Sequence, residues 1–402
     1  MREGWEVKKL GEICEFENGD RGVNYPSKAH RTESGVPFIN AGHLTSNGLD
    51  ISKMDYISRE RYNLLGSGKV QKGNILFCLR GSLGKFAKVK EFTEGAIASS
   101  LVIVRPKLKI TSEFLMAYFE SKICADMIFD FGNGAAQPNL SAGSLKKFEI
   151  PLPPLPEQKR IVAILDKAFG AIAKAKANAE QNLKNAKELF ESYLQGVFEN
   201  KGEGWEEKTL GEVCHFVRGP FGGSLKKNCF KKDGIAVYEQ QHAIYNQFNG
   251  IRYFVDDIKF EEMKRFELLA GDLIMSCSGT MGKVAVVPKN IKKGIINQAL
   301  LKLTPSNHLN VEYLKCWMTS NVFQKSLAKY TVGAAIKNVA SVKILKQIDT
   351  PLPSLPEQKR IVQELDALST ETKKLEAIYQ QKTDDLEELK KSVLQKAFTG
   401  KL

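Results

Sequence analysis

The chain has 402 residues, 43% of them hydrophobic, with a net charge of +13, which suits two or three domains with separate cores and excludes a disordered tail. The seven cysteines, Cys14, Cys78, Cys124, Cys214, Cys229, Cys277 and Cys316, form no CxxC pair and do not cluster with the five histidines, so the expectation is a reduced, metal-free, cytoplasmic protein. The start "MREGWEVKKLGEIC" lacks the apolar core of a signal peptide, and no run of about 18 apolar residues could cross a bilayer, so membrane roles drop out.

From its first elements the chain repeats itself. "GWEVKKLGEICEFENG" from Gly4 returns as "GWEEKTLGEVCHFVRG" from Gly204, and "GNILFCLRGSLGKFAKV" from Gly73 as "GDLIMSCSGTMGKVAVV" from Gly271. "GAIASSLVIVRP" from Gly95 pairs with "GIINQALLKLTP" from Gly294, "NGAAQPNLS" from Asn133 with "VGAAIKNVA" from Val332, and "LPPLPEQKRIVAILD" from Leu152 with "LPSLPEQKRIVQELD" from Leu352. A period this long is a duplicated domain, since solenoid repeats are far shorter.

Each copy reads as a mixed α and β block. Short strands are expected at "GNILFCL", "SLVIVRP", "GDLIMSC" and "ALLKLTP", and helices at "SEFLMAYFESKICADMIF" and "NVEYLKCWMTSNVFQKSLAKY". The turns "GSLGK" and "GTMGK" fall short of a phosphate loop and sit between two apparent strands, so they read as tight hairpins. Neither copy holds HExxH, GxSxG, an NPPY-like tetrapeptide, a Cys/His pair at ligand spacing, or a nuclease-type carboxylate and lysine set present in both. That favours a binding protein over an enzyme.

Behind each block, "LPEQKRI" opens a helix. Proline suits the first helical position, and Glu157 and Glu357 lie near the positive end of the dipole. The lead-ins "IPLPPLP" and "TPLPSLP" read as stiff connectors, with SH3-type ligands as the alternative. Ile161, Leu165, Ala168, Ile172, Ala175, Ala179, Leu183, Ala186, Phe190, Tyr193 and Val197 form one apolar seam with a stutter after Ala179. Ile361, Leu365, Leu368, Thr372, Leu375, Tyr379, Leu386, Leu389, Val393 and Ala397 form the other. The two seams can bury each other as an antiparallel pair, with Ala168, Ala175 and Ala179 expected against the larger Leu368, Leu375 and Tyr379; self-pairing between chains is the competing arrangement. A helix of about 40 residues spans roughly 60 Å, so the expected shape is two blocks on a ruler, related by a pseudo-twofold axis.

The charge lies on the blocks. Residues 1–155 carry 21 Lys and Arg against 17 Asp and Glu, and residues 204–355 carry 21 against 13. The helix segments 156–203 and 356–402 carry 8 against 7 and 9 against 9. Two basic heads on a neutral ruler suit duplex DNA, with a merely solubilising surface as the bland alternative.

The repeated "PLPxLPEQKRI" and its long helix, with "GAAQPNLSAGSLKKFEI" before the first copy, resemble the specificity subunits of type I restriction-modification enzymes over the whole chain. The resemblance implies an α+β protein with target recognition domains at 1–151 and 204–351, and Pro-rich connectors with spacer helices at 152–203 and 352–402. It implies that each domain reads half of a bipartite DNA site and that the helices set the unread gap. It implies no catalysis and no cofactor on this chain. Two methyltransferase subunits using S-adenosylmethionine, and restriction and motor subunits using Mg and ATP, would supply the chemistry. The alternative from another class is a bivalent scaffold linking two protein partners.

Two domains with different targets should share phosphate contacts and differ where bases are read. The matched polar pairs Ser82 with Thr280, Lys85 with Lys283, Asn139 with Asn338 and His43 with His242 therefore stand for phosphate contacts or turn structure. The unmatched loops offer Arg21, Asn24, Lys28 and Arg31 in the first block and Lys226, Lys227, Asn228 and Lys231 in the second as base readers, or as solvated loop. Arg80 could make a bidentate contact to guanine, and Asn40 and Gln240 are lesser candidates.

Overall fold

The computed structural model describes residues 3–45, 48–132, 139–221, 223–329 and 342–402. The chain forms two compact units, one of Met1–Glu180 with Gln381–Leu402 and one of Gln181–Gln380. Each unit therefore holds one globular block, the root of that block's own long helix, and the far end of the other.

In the first unit a four-stranded antiparallel sheet runs Phe86–Lys88, Ile75–Cys78, Leu101–Pro106, Cys14–Asn18. A five-stranded sheet runs Arg31–Thr32, Asp55–Ile57, Val36–Ile39, Glu94–Ile97, Lys69–Gln71, with one parallel pair, Val36–Ile39 beside Glu94–Ile97. The second unit repeats the four-stranded sheet as Cys214–Arg218, Leu300–Pro305, Leu273–Ser276, Val284–Val286. A three-stranded sheet there runs Phe254–Val255, Ile235–Tyr238, Gly294–Ile296, with its second pair parallel. Strands such as Ile75–Cys78 and Leu273–Ser276 are buried at every residue, as sheets covered on both faces require.

The paired repeats at the start and end of each block are one structural feature. Glu6–Lys9 pairs antiparallel with Glu149–Leu152, and Glu206–Thr209 with Asp349–Leu352. The Pro-rich lead-ins are therefore strands as they leave the block, and "GWE" recurs because each lead-in needs a partner.

Each single helix expected after these sheets is two. Ser112–Glu120 and Lys122–Phe131 break at Ser121, and Val311–Thr319 and Asn321–Lys329 break at Ser320. Both serines are buried. Ser121 Oγ donates to the Tyr118 carbonyl at 2.6 Å and accepts from the Cys124 amide at 3.3 Å. Ser320 Oγ bonds the Trp317 carbonyl and the Phe323 amide in the same way. One hydroxyl serves the end of one helix and the start of the next, which removes the cost of the break.

The long helices run Leu155–Glu199 and Leu355–Phe398, with Pro156 and Pro356 at the second helical position, not the first. Each is clamped to its block by a fully buried glutamine from "PEQ". Gln158 Oε1 accepts from the Thr111 amide at 2.9 Å, and its Nε2 donates to the Lys109 and Pro153 carbonyls, both at 2.9 Å. Gln358 makes the same three bonds to Asn310, His308 and Pro353 at 2.7, 3.0 and 2.8 Å. Every polar group of a buried amide is thereby satisfied, so the helix direction is fixed relative to the block.

The helices pair antiparallel within each unit. In the first, Arg160 reaches the Leu402 carbonyl at 2.9 Å and Lys176 pairs with Glu387; in the second, the Tyr193 hydroxyl bonds Glu364 at 3.0 Å. This register corrects the expected pairing of small against large: Ala168 and Ala175 lie opposite the end of the second helix, not opposite Leu368 and Leu375. Two ends of the seam are corrected as well. Leu194 and Phe198, not Tyr193 and Val197, are buried, and Leu394 and Phe398 join Ala397, while Leu375 and Leu389 are exposed. For Leu194, Phe198, Leu394 and Phe398 the cause is that the last turns pack on a block's core and no longer only on a helix. Phe398 meets Phe114 and Tyr118 at ring distances of 5.0 and 5.9 Å, and Phe198 meets Tyr313 at 5.6 Å. No described helix is long and apolar enough to cross a membrane.

Candidate nucleic-acid interface

Each block carries one long connection between its first sheet strand and its second sheet, and both begin at a glycine that cannot be replaced. A Cβ on Gly19 would lie 2.7 Å from the Ala98 carbonyl oxygen, and one on Gly219 would overlap the Asn297 carbonyl. In the first block Asp20 then holds the turn by accepting from the Gly22 amide at 2.7 Å and the Gly66 amide at 2.8 Å. Those amides keep its carboxyl below the usual aspartate range.

The structure sorts the first block's candidates into two groups. Arg21 and Arg80 converge on the Ser99 carbonyl, at 3.4 and 2.9 Å, and Asn139 forms a β-bridge with Arg80. Arg31 and Asn40 converge on Asp55 Oδ2, at 2.8 and 2.9 Å. Asn40 also accepts from the Gly42 amide at 2.8 Å, so both halves of its amide are engaged inside the fold. Asn24 donates to the Leu64 carbonyl at 3.1 Å. Lys28 is exposed in a turn of 3-10 helix, Lys28–His30.

In the second block Lys226, Lys227 and Asn228 are exposed around the corresponding 3-10 turn, Lys227–Cys229. Lys231 pairs with Asp256 at 3.2 Å and forms a β-bridge with Phe254. Arg31 stands beside the matching strand, across from Ile57 and paired with Asp55, one residue out of register with Lys231. Each of these two cations thus ties the base of its loop to the neighbouring strand, in registers one residue apart and on different carboxylates. Gln240 begins the helix Gln240–Tyr245, with its Oε1 buried and unpartnered among the described residues. The neighbouring Glu239 holds Arg252 through two bonds of 3.0 and 2.8 Å, a pair that sequence patterning did not flag.

The matched residues divide differently. His43 and His242 are buried, and each Nδ1 accepts the backbone amide three residues before it, at 3.1 and 2.9 Å; they are turn structure. Ser82, Lys85, Thr280 and Lys283 lie in hairpin loops of one geometry. Cys78 donates to the Lys85 carbonyl at 2.7 Å, and Ser276 to the Lys283 carbonyl at 2.9 Å. The glycine before each lysine has a positive φ, 82° at Gly84 and 73° at Gly282, and packs against Ile128 or Leu327. The glycines of "GSLGK" and "GTMGK" thus serve a hairpin. Thr280 and both lysines are exposed, and Ser82 is half-buried. Asn338 lies outside the described residues.

Lys85 has basic company that periodicity hid. With Lys88, Lys90, Lys390 and Lys391 it lines a cleft of about 930 Å³ in the first unit. Lys88 is paired with Glu113 at 2.8 Å and Lys390 with Glu120 at 3.4 Å. Lys390 and Lys391 read as an outward charged face of a helix; only the return of that helix to the first block reveals their place.

A family model described as type I restriction modification DNA specificity domain matches twice, over residues 2–184 and 202–383. The chain is 25% identical over its whole length to a putative type I restriction enzyme MjaX specificity subunit of Methanocaldococcus jannaschii, covering 94% of it. It is 23% identical over its whole length to the EcoKI specificity subunit of Escherichia coli K12, covering 90% of it. Its fold matches a chain solved in work on assembly and conformational transition of the type I R-M system, with TM-score 0.78, 20% identity and coverage of 100% and 99% of the two chains. It also matches the HsdS subunit from Thermoanaerobacter tengcongensis, with TM-score 0.68, 20% identity and coverage of 100% and 98%.

Proposed function

Because the chain belongs to the family of type I restriction-modification DNA specificity subunits, we propose that its loops at 19–31 and 219–231 are the parts that read the two halves of a bipartite duplex site. The observation that carries this reading is the pairing of identical anchors with different exposed side chains. Gly19 and Gly219 pin the loops alike, and Arg31 and Lys231 each tie a loop base to the neighbouring strand by an ion pair. Lys28 stands in one tip, and Lys226, Lys227 and Asn228 in the other. Identical placement with altered donors is what two domains reading different bases need. Lys85 and Lys283, on hairpins of one geometry, suit phosphates.

In this reading the paired helices set the unread gap and dock two modification subunits. The exposed Leu189, Leu375, Ile378 and Leu389 are apolar groups on the helices for such partners to cover. Methyl transfer with S-adenosylmethionine, and ATP- and Mg-dependent restriction, belong to partner chains in the cytoplasm. The bivalent protein scaffold has no observation in its favour.

The test is to map methylated adenines in cells carrying this chain with its partner subunits. Lengthening both helices by about one turn, after Ala179 and after Tyr379, should widen the gap and leave both half-sites intact. An unchanged gap would refute the ruler.

A further inference from the structure

Resting on that reading of the loops, we propose that Phe221 in the second block and Val23 in the first make apolar contact with the C5-methyl of a thymine in their respective half-sites. Among the described residues the two loops hide their larger apolar side chains with these exceptions. Leu225 and Phe230 pack against the second block's core, and Tyr25 against the first block's, where its ring lies 6.0 Å from that of Phe38. Phe221 is 87% exposed and Val23 97%.

Phe221 follows Gly219, pinned on the Asn297 backbone, and the buried Pro220, and its carbonyl accepts the Ser224 amide at 3.0 Å. Val23 follows the Asp20 turn, and the next turn is closed by the Tyr25 amide on the Gly22 carbonyl at 3.0 Å. Each side chain stands exposed beside a backbone hydrogen bond, within a few residues in sequence of Lys226 and Lys227 or of Arg21 and Lys28. An apolar group set among cations on a DNA-facing loop has two uses, stacking on a base or meeting a thymine methyl in the major groove. Valine cannot stack and is too short to wedge between base steps as longer apolar side chains do, so the chemistry open to both blocks is the methyl contact.

The experiment uses the full chain assembled with its modification subunits and a duplex carrying the mapped site, with each thymine replaced in turn by uracil, which lacks only the methyl. For the unaltered complex, one uracil in the second block's half-site should weaken binding about fourfold to tenfold. The F221A complex should bind thymine and uracil duplexes alike at that position, while keeping the wild-type response in the other half-site. V23A should show the mirror result. Both side chains are exposed, so unchanged melting temperatures should accompany these effects. Full uracil sensitivity in F221A, no sensitive thymine in the unaltered complex, or a half-site without thymine on either strand would overturn the assignment while leaving the DNA reading of the loops standing. If the unaltered complex did not prefer the mapped duplex to an unrelated one, that reading would fall and take the assignment with it.

Discussion

Asn74 and Ile103 in the first block occupy the places that Asp272 and Lys302 occupy in the second. Both turns are held alike: Asn74 accepts from the Gln71 amide at 3.1 Å and Asp272 from the Leu269 amide at 2.9 Å. The second block then adds charge. Asp272, 2% exposed, accepts the Thr304 hydroxyl at 2.5 Å and faces Lys302, whose Nζ lies 3.7 Å from Asp272 Oδ2 and donates to the Glu267 carbonyl at 2.6 Å. The difference teaches that the backbone frame of the duplicated block is set by short polar turns, glycine approaches and the glutamine clamp. Even interior side chains have drifted around that frame, and the loops still more.

The largest effect should come from breaking that interior pair. Asp272→Ala leaves the Lys302 ammonium buried without its carboxylate and should cost about 3–5 kcal/mol in denaturant unfolding. Installing the first block's solution, Asp272→Asn with Lys302→Ile, should recover most of it. A double variant as unstable as the single one would show that the blocks are not interchangeable here.

Next come the clamps. Gln158→Leu and Gln358→Leu each strand an amide and two carbonyls and should each cost about 1–3 kcal/mol. Because the three bonds are the same in both blocks, the two losses should agree; a large asymmetry in melting would break the equivalence.

A smaller effect is expected on DNA binding. Lys85→Ala with Lys283→Ala removes the two cations assigned to phosphates, and the slope of log affinity against log salt should flatten by about 1.8. Lys85→Ala and Lys283→Ala should each flatten it by about 0.9. Equal slopes in variants and wild type would remove these lysines from the interface.

The smallest is a pH effect from His242 in the second block. Burial, outweighing the nearby Glu239, holds the His242 imidazole below the ordinary histidine range. The folded chain then binds fewer protons than the unfolded one near pH 6, so stability is full above about 6.5 and falls as pH drops below it. His242→Gln should reduce this dependence in urea titrations at several pH values.

The duplication, the long helices and the hairpins were legible because they rest on repetition and on period, which a single chain displays. The helix breaks at Ser121 and Ser320 were not, since a serine on a helical face looks the same until its hydroxyl is seen buried and doubly bonded. The last turns of each seam were misread because Leu194, Phe198, Leu394 and Phe398 answer to a block's core and not to the helical partner whose period was being read. In the candidate interface, loop identity was legible from missing periodicity. The ion pairs by which Arg31 and Lys231 tie the loop bases were not, because they depend on which strand each loop crosses.

Methylation mapping with loop replacement tests the central claim most directly. If residues 219–231 are replaced by those of another family member, the methylated motif should change in one half only, with the other half and the gap retained. A motif that changed in both halves, or did not change, would contradict the account.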